Sequence, residues 1–244
     1  MIVAIPYWAG DEERALTLAR LLARLEAKKR DDDWLVLARR FDCPLSAEAE
    51  RTQEFCQRAF GRVMFLRSTR LETGHPDGCF GLWAGTMAAL SEMLQNEAIP
   101  WLVGRDVFVA ESDGVPLRRA WLDSIKTAHA LTKSQHKRIT GAVMEMGGGG
   151  WMYHVNGGAM ALCLQLWEDY PSLKTCPNGV AWDIHHAVTL LRETRDSRMI
   201  MNVCGSVDWT PGVLKYLGCE SAWLHGVKDD SALKYALTLI ERNS

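Results

Sequence analysis

The chain has 244 residues, 48% of them hydrophobic and 24% charged, which is the composition of a globular domain and not of a disordered segment. A formal net charge of -2 supplies no global pull toward nucleic acid or an anionic membrane, although a local basic strip is compatible with it. Seven scattered cysteines without a C-x-x-C pair fit reduced thiols better than a disulfide framework or a structural zinc site.

Ile2-Val3-Ala4-Ile5 is a short apolar run stopped by Pro6, with no basic segment before it that would make it a signal peptide. From Ala9 to Arg30, Leu16, Leu18, Leu21, Leu22 and Leu25 recur at helical spacing. Asp11, Glu12 and Glu13 stand at the start and Lys28, Lys29 and Arg30 at the end, matching the helix dipole. Trp34–Ala38 reads as a strand, Ser46–Phe60 as a helix capped by Ser46, and Val63–Leu66 as a third strand. A helix over Cys79–Gln95 follows the turn residues Gly74, Pro76 and Gly78, and Val107–Ala110 is a fourth strand. Pro116 sits where the first turn of the next helix is expected. Four strand–helix alternations without a Pro- or Gly-rich linker predict an α/β fold, a mostly parallel sheet covered by helices. Ligands of such sheets bind at the carboxyl ends of the strands.

The second half is less regular. Ile139–Met146 predicts a strand, followed by Gly147–Gly150, which reads as a surface loop or a phosphate cradle. Gly157–Leu166 and Val180–Arg192 predict helices, Met199–Cys204 a strand, and Ser231–Glu241 a closing helix. No apolar stretch reaches the about 18–20 residues that span a bilayer, so the expectation is a soluble, cytoplasmic protein without a membrane partner.

The most informative segment is Val107-Phe108-Val109-Ala110-Glu111-Ser112-Asp113. A buried strand emerges into two carboxylates that project to the same side of an extended backbone. Acids there are costly to bury, and a divalent cation is the usual compensation. One carboxylate would hold the cation and the other a ribose hydroxyl or a second metal position; a solvated loop, or a helix cap by Asp113, is the plainer alternative. Asp42 follows the second strand and Arg70 the third; a solvated loop charge is the plainer reading of each, and reading a base and phosphates at the sheet's ligand end is the functional one. Asp77 lies in His75-Pro76-Asp77-Gly78 before a helix N-terminus, where an anion is accommodated. Asp183 opens a predicted helix, where a carboxylate serves as a cap, and His185 and His186 follow it.

Glu-Ser-Asp-Gly after a short strand, then Pro-Leu and Trp-Leu, resembles the D-x-D region of glycosyltransferases with the GT-A fold. Three further segments fall in the same order. Ile2–Tyr7 resembles the strand and loop that bracket the nucleotide base, with Pro6 and Tyr7 as donor-binding residues. His154-Val155-Asn156-Gly157-Gly158 resembles a glycine turn that lines the donor sugar and opens a helix. Trp223-Leu224-His225-Gly226-Val227-Lys228 resembles a His-Gly-x-Lys element, in which His225 completes the metal site and Lys228 touches the phosphates.

The resemblance implies a single domain over 1–244, with a nucleotide-binding half (1–115) and an acceptor-binding half (116–244). It implies Mn²⁺ or Mg²⁺ on Asp113 and His225, Glu111 on the donor, and a nucleotide-sugar donor, with UDP the expected nucleotide. Asp183 is similar in position to the catalytic carboxylate of inverting members. The first acid is Glu111 where the family has Asp, and the His-Gly-Val-Lys element is shorter than in several retaining families, so retention and inversion both stay open. The overall pattern also resembles small phage-encoded transferases that decorate hydroxymethylated pyrimidines in DNA, which makes DNA an expected acceptor; a cell-surface saccharide or lipid is the alternative. A nucleotidyltransferase or dinucleotide-binding enzyme would carry a glycine-rich loop after the first strand, and Ile5-Pro6-Tyr7-Trp8-Ala9-Gly10-Asp11 has one glycine. A non-catalytic carbohydrate-binding protein on the same fold is the remaining competitor.

Overall fold

The computed structural model describes residues 1–26, 28–96, 105–146, 152–202, 221–227, 237–238 and 241. Its centre is a sheet of seven strands: β1 (Ile2–Tyr7), β2 (Arg30–Arg39), β3 (Phe60–Arg67), β4 (Asp106–Ala110), β6 (Ile139–Met146), β7 (Met152–Cys163) and β8 (Thr194–Asp196). Their order across the sheet is β3-β2-β1-β4-β7-β6-β8. Pairing is parallel from β3 to β4, β7 runs antiparallel to β4 and β6, and β8 is parallel to β6. A second sheet is made of β5 (Val115–Pro116), β9 (Ile200–Asn202) and β10 (Trp223–His225), with β10 in the middle.

The expected α/β architecture with a mostly parallel sheet is the one observed. All six residues of β1 are buried. Val3, Ile5 and Tyr7 join the core cluster that includes the apolar residues of α1 (Glu12–Arg24), while Ile2 and Ala4 join the cluster beneath α3 (Asp77–Asn96). That alternation is what a strand covered on both faces requires. Ser46 caps α2 (Ala47–Cys56) as expected, its hydroxyl accepting from the Ala49 amide at 3.1 Å. Among the described residues no helix is long and apolar enough to cross a membrane.

Several local expectations are overturned. The first helix ends at Arg24, not Arg30; the Arg30 amide bonds Ala59 O at 2.8 Å and starts β2, and its guanidinium is held by Glu26 and Asp123. Pro116 does not open a helix but pairs with Trp223 in the small sheet, and α4 begins at Trp121 (Trp121–Ser134). Gly157–Leu166 is not a helix: Gly157 to Cys163 lie in β7, between β4 and β6. Its Ala, Met and Leu residues have good helix propensity, but pairing on both sides of a central strand overrides it. The expected helix Val180–Arg192 is two short ones, α6 (Trp182–His185) and α7 (Ala187–Glu193), after α5 (Gln165–Asp169). Gly147–Gly150, Lys228 and most of the Ser231–Glu241 helix lie outside the described residues.

Candidate metal centre and its cleft

β4 delivers Glu111 and Asp113 at its carboxyl end, in the tight turn closed by the Gly114 amide on Glu111 O at 2.9 Å. β10 delivers His225 from the other end of the chain. Its Nε2 lies 2.9 Å from Asp113 Oδ1 and 3.2 Å from Glu111 Oε2. One ligand atom from each of the three residues falls within 4.8 Å of the other two. Burial pulls the imidazole toward neutrality, but its contacts with Asp113 and then Glu111 outweigh this and raise its pKa to about 9. The same nitrogen can carry a proton or meet a cation between these carboxylates, but not both.

Neighbours fix the imidazole in this pose. The side-chain oxygen of Asn202, on β9, lies 2.7 Å from His225 Nδ1, which leaves Nε2 to face the acids. Gly226 has φ 87°, a conformation that favours glycine, and this turn brings the Val227 amide onto Asp113 O at 2.9 Å. On β7, a Cβ at Gly158 would come within 2.2 Å of His225 Nε2 and 2.7 Å of Glu111 Oε2. The cradle is therefore shaped by a missing side chain. Two carboxylates and a backed imidazole, gathered around that cradle, fit a small divalent cation.

The acids open onto a cleft of about 650 Å³ at the sheet's ligand end. Pro6, Glu111 and Asp113 line it, whereas the ring of Tyr7 is fully buried in the core. Trp8, one residue on and 42% exposed, lines the cleft instead, with Arg40 stacked over its ring at 5.5 Å. Asp11 and Arg14 also line it. Burial raises the Asp11 carboxyl, and the charges of Asp113 and Glu111 add to the rise, so a third acid faces the same space.

Asp42 is tied to Arg40 through two contacts of 2.7 and 2.6 Å. Arg70 pairs with Glu72 and lies over the Phe80 ring at 5.0 Å. Asp77, the first residue of α3, accepts from the Gly179 amide at 2.7 Å and so links α3 to the loop before α6. These three flank the cleft without being part of its wall. Asp183 lies in the first turn of α6, with one oxygen 3.0 Å from its neighbour's amide and the other 3.4 Å from the Gly157 amide. A Cβ at Gly157 would strike the Trp182 ring at 2.1 Å, which keeps Asp183 beside the strand that carries Gly158. His185 is exposed, whereas His186 is buried on Thr175 O at 2.9 Å.

Sequence reasoning missed Trp8, Asp11, Arg14 and Asn202. Period-two alternation from Pro6 is a signal that would have favoured Trp8 over Tyr7. Asp11 and Arg14 resemble ordinary charges at a helix start.

The order of strands, the antiparallel β7 and the acids after β4 define the GT-A glycosyltransferase fold. Among solved structures, the galactosyltransferase LgtC in complex with donor and acceptor sugar analogues matches with a TM-score of 0.60 and 9% identity, over 98% of this chain and 96% of that one. An active-site mutant of LgtC gives 0.59 and 11%, over 98% and 95%. The bifunctional glycosyltransferase WbbM gives 0.54 and 9%, over 94% of this chain and 46% of that one. At such identities the likeness is one of fold. No protein-family model and no curated protein sequence matches the chain.

Proposed function

We propose that the chain is a metal-dependent glycosyltransferase that moves a sugar from a nucleotide-sugar donor, in our reading a UDP-sugar, to a hydroxyl acceptor. One observation carries this reading: Glu111, Asp113 and His225 converge beside a deep cleft at the carboxyl end of β4, on a GT-A fold. In this reading the chain is one domain, with 1–115 serving the nucleotide and 116–244 the acceptor. Asp113 and His225, joined by Glu111, hold Mn²⁺ or Mg²⁺, and Glu111 also faces the donor. When bound, the cation offsets the negative charge that develops on the leaving diphosphate.

Pro6 and Tyr7 shape the end of β1 where the base sits, with Asp42 beside it. Arg70, Asp77 and Lys228 complete the surroundings of the phosphates. Gly157 and Gly158 form the donor-sugar side of the site, where β7 packs closely on Trp182, His225 and Glu111. Asp183 takes the proton of the acceptor hydroxyl, its carboxylate oriented by the Ile184 and Gly157 amides. For the acceptor we favour a hydroxymethylated pyrimidine in DNA, with a cell-surface saccharide or lipid hydroxyl as the alternative.

The test is release of nucleoside diphosphate from a panel of sugar nucleotides, with and without Mn²⁺. Metal-dependent release that Asp113→Ala reduces at least about a hundredfold, with the circular dichroism spectrum unchanged, is the expected result. Should no donor be cleaved in a metal-dependent way, the reading fails and carbohydrate binding without catalysis replaces it.

A further inference from the structure

Arg14 is the third residue of α1, and its guanidinium stands where three parts of the site meet. It donates to the carbonyl of Val227, two residues past the candidate ligand His225. The amide of the same Val227 is bonded to Asp113 O at 2.9 Å. The side chain lines the cleft beside Glu111 and Asp113, and also lines a second, smaller hollow of about 330 Å³ between α1 and Gly114. Val227 is thus held to the β4 turn by its amide and to α1 by one arginine.

The charge balance makes that arginine consequential. Three carboxylates, Asp11, Glu111 and Asp113, face the cleft. Of its two arginines, Arg40 is committed to Asp42 through two contacts. Arg14 has no carboxylate within ion-pair distance among the described residues, and it acts on Asp11 only through space. A guanidinium has five N–H donors in a planar fork, and one contact with a carbonyl leaves most of them unused. Such a fork suits the oxygens of a phosphate or diphosphate held next to a cation.

We infer that Arg14 is a donor-positioning residue. It is anchored on Val227, and its remaining N–H groups engage the diphosphate of the nucleotide at the Glu111–Asp113–His225 site. This inference rests on the sugar-nucleotide reading above and adds a residue to it. Arg14 joins diphosphate engagement to the placement of the segment after His225, because one side chain makes both contacts. A lysine keeps the charge but cannot serve two acceptors in the same planar geometry.

The experiment is calorimetric titration of the full chain with three probes: MnCl₂ alone, then UDP and inorganic pyrophosphate at saturating Mn²⁺. Arg14→Ala is expected to weaken UDP and pyrophosphate binding at least about tenfold while Mn²⁺ affinity stays within about twofold of wild type. Arg14→Lys should recover part of the loss, and Thr17→Ala, one turn along the same helix, should change neither value. Wild-type affinity for both phosphate probes in Arg14→Ala overturns the inference. So does an equal loss of Mn²⁺ affinity, which would assign Arg14 a purely structural role through Val227. If the wild type itself binds neither UDP nor pyrophosphate in Mn²⁺, the sugar-nucleotide reading falls first and this inference with it.

Discussion

At the scale of single residues, the site depends as much on an absent side chain as on charged ones. A methyl group at Gly158 would meet the tips of His225 and Glu111, not backbone. Gly158→Ala is therefore expected to fold, with its thermal midpoint lowered by at most a few degrees. Displacing two of three ligands should weaken Mn²⁺ binding at least about tenfold, read by calorimetry; wild-type affinity would show that the close approach is immaterial. Asp183→Asn keeps the shape but loses the basicity, and its one oxygen can accept from only one of the Ile184 and Gly157 amides. It should slow transfer by about 10²–10⁴ with UDP affinity preserved. An unchanged rate would remove Asp183 from catalysis.

At the scale of elements, α4 is fastened to the amino end of β4 by a polar cluster. His129 Nε2 lies 3.3 Å from Asp106, and Lys133 Nζ lies 3.1 Å from it. Burial alone would raise the Asp106 carboxyl, but the His129 and Lys133 contacts prevail and hold it below the usual carboxylate range. A carboxyl whose folded pKa is depressed contributes stability above its unfolded value and loses it as pH falls through the folded one. Asp106→Asn should therefore cost about 1–2 kcal/mol at neutral pH. In urea titrations that gap should narrow as pH drops below about 4; a gap that stays constant through strong acid would refute the assignment.

Elements also differ in how plainly the sequence announced them. Val107–Ala110 followed by Glu111 and Asp113 was legible because an apolar run ending in acids has few cheap outcomes. β7 was not, since Gly157 and Gly158 are small for contacts made by Trp182 and His225, which lie distant in sequence. Asn202 supports a histidine 23 residues away, and no local pattern encodes that partnership. Arg14 and Asp11 were masked by their fit to a helix start.

At the scale of the whole molecule, the acceptor sets the test. The chain carries net charge -2, so binding of DNA would depend on a local surface and respond steeply to salt. Hydroxymethylcytosine- or hydroxymethyluracil-containing DNA, offered with a sugar nucleotide and Mn²⁺, is expected to gain mass equal to one sugar, and the product is read by nucleoside mass spectrometry. Failure with every donor tested would turn attention to a saccharide or lipid hydroxyl.

The antiparallel run of β7 carries a further consequence. The wall that meets His225, Glu111 and Asp183 is backbone continuous with Met160–Leu162, which pair with both β4 and β6, and the Glu111 amide bonds Gly158 O at 2.8 Å, so it cannot swing aside as a connecting loop can. Sequence change around the cleft is then least costly in the turns after β1 and β3. There Trp8, Asp11 and the residues around His75 can change without unpicking the sheet.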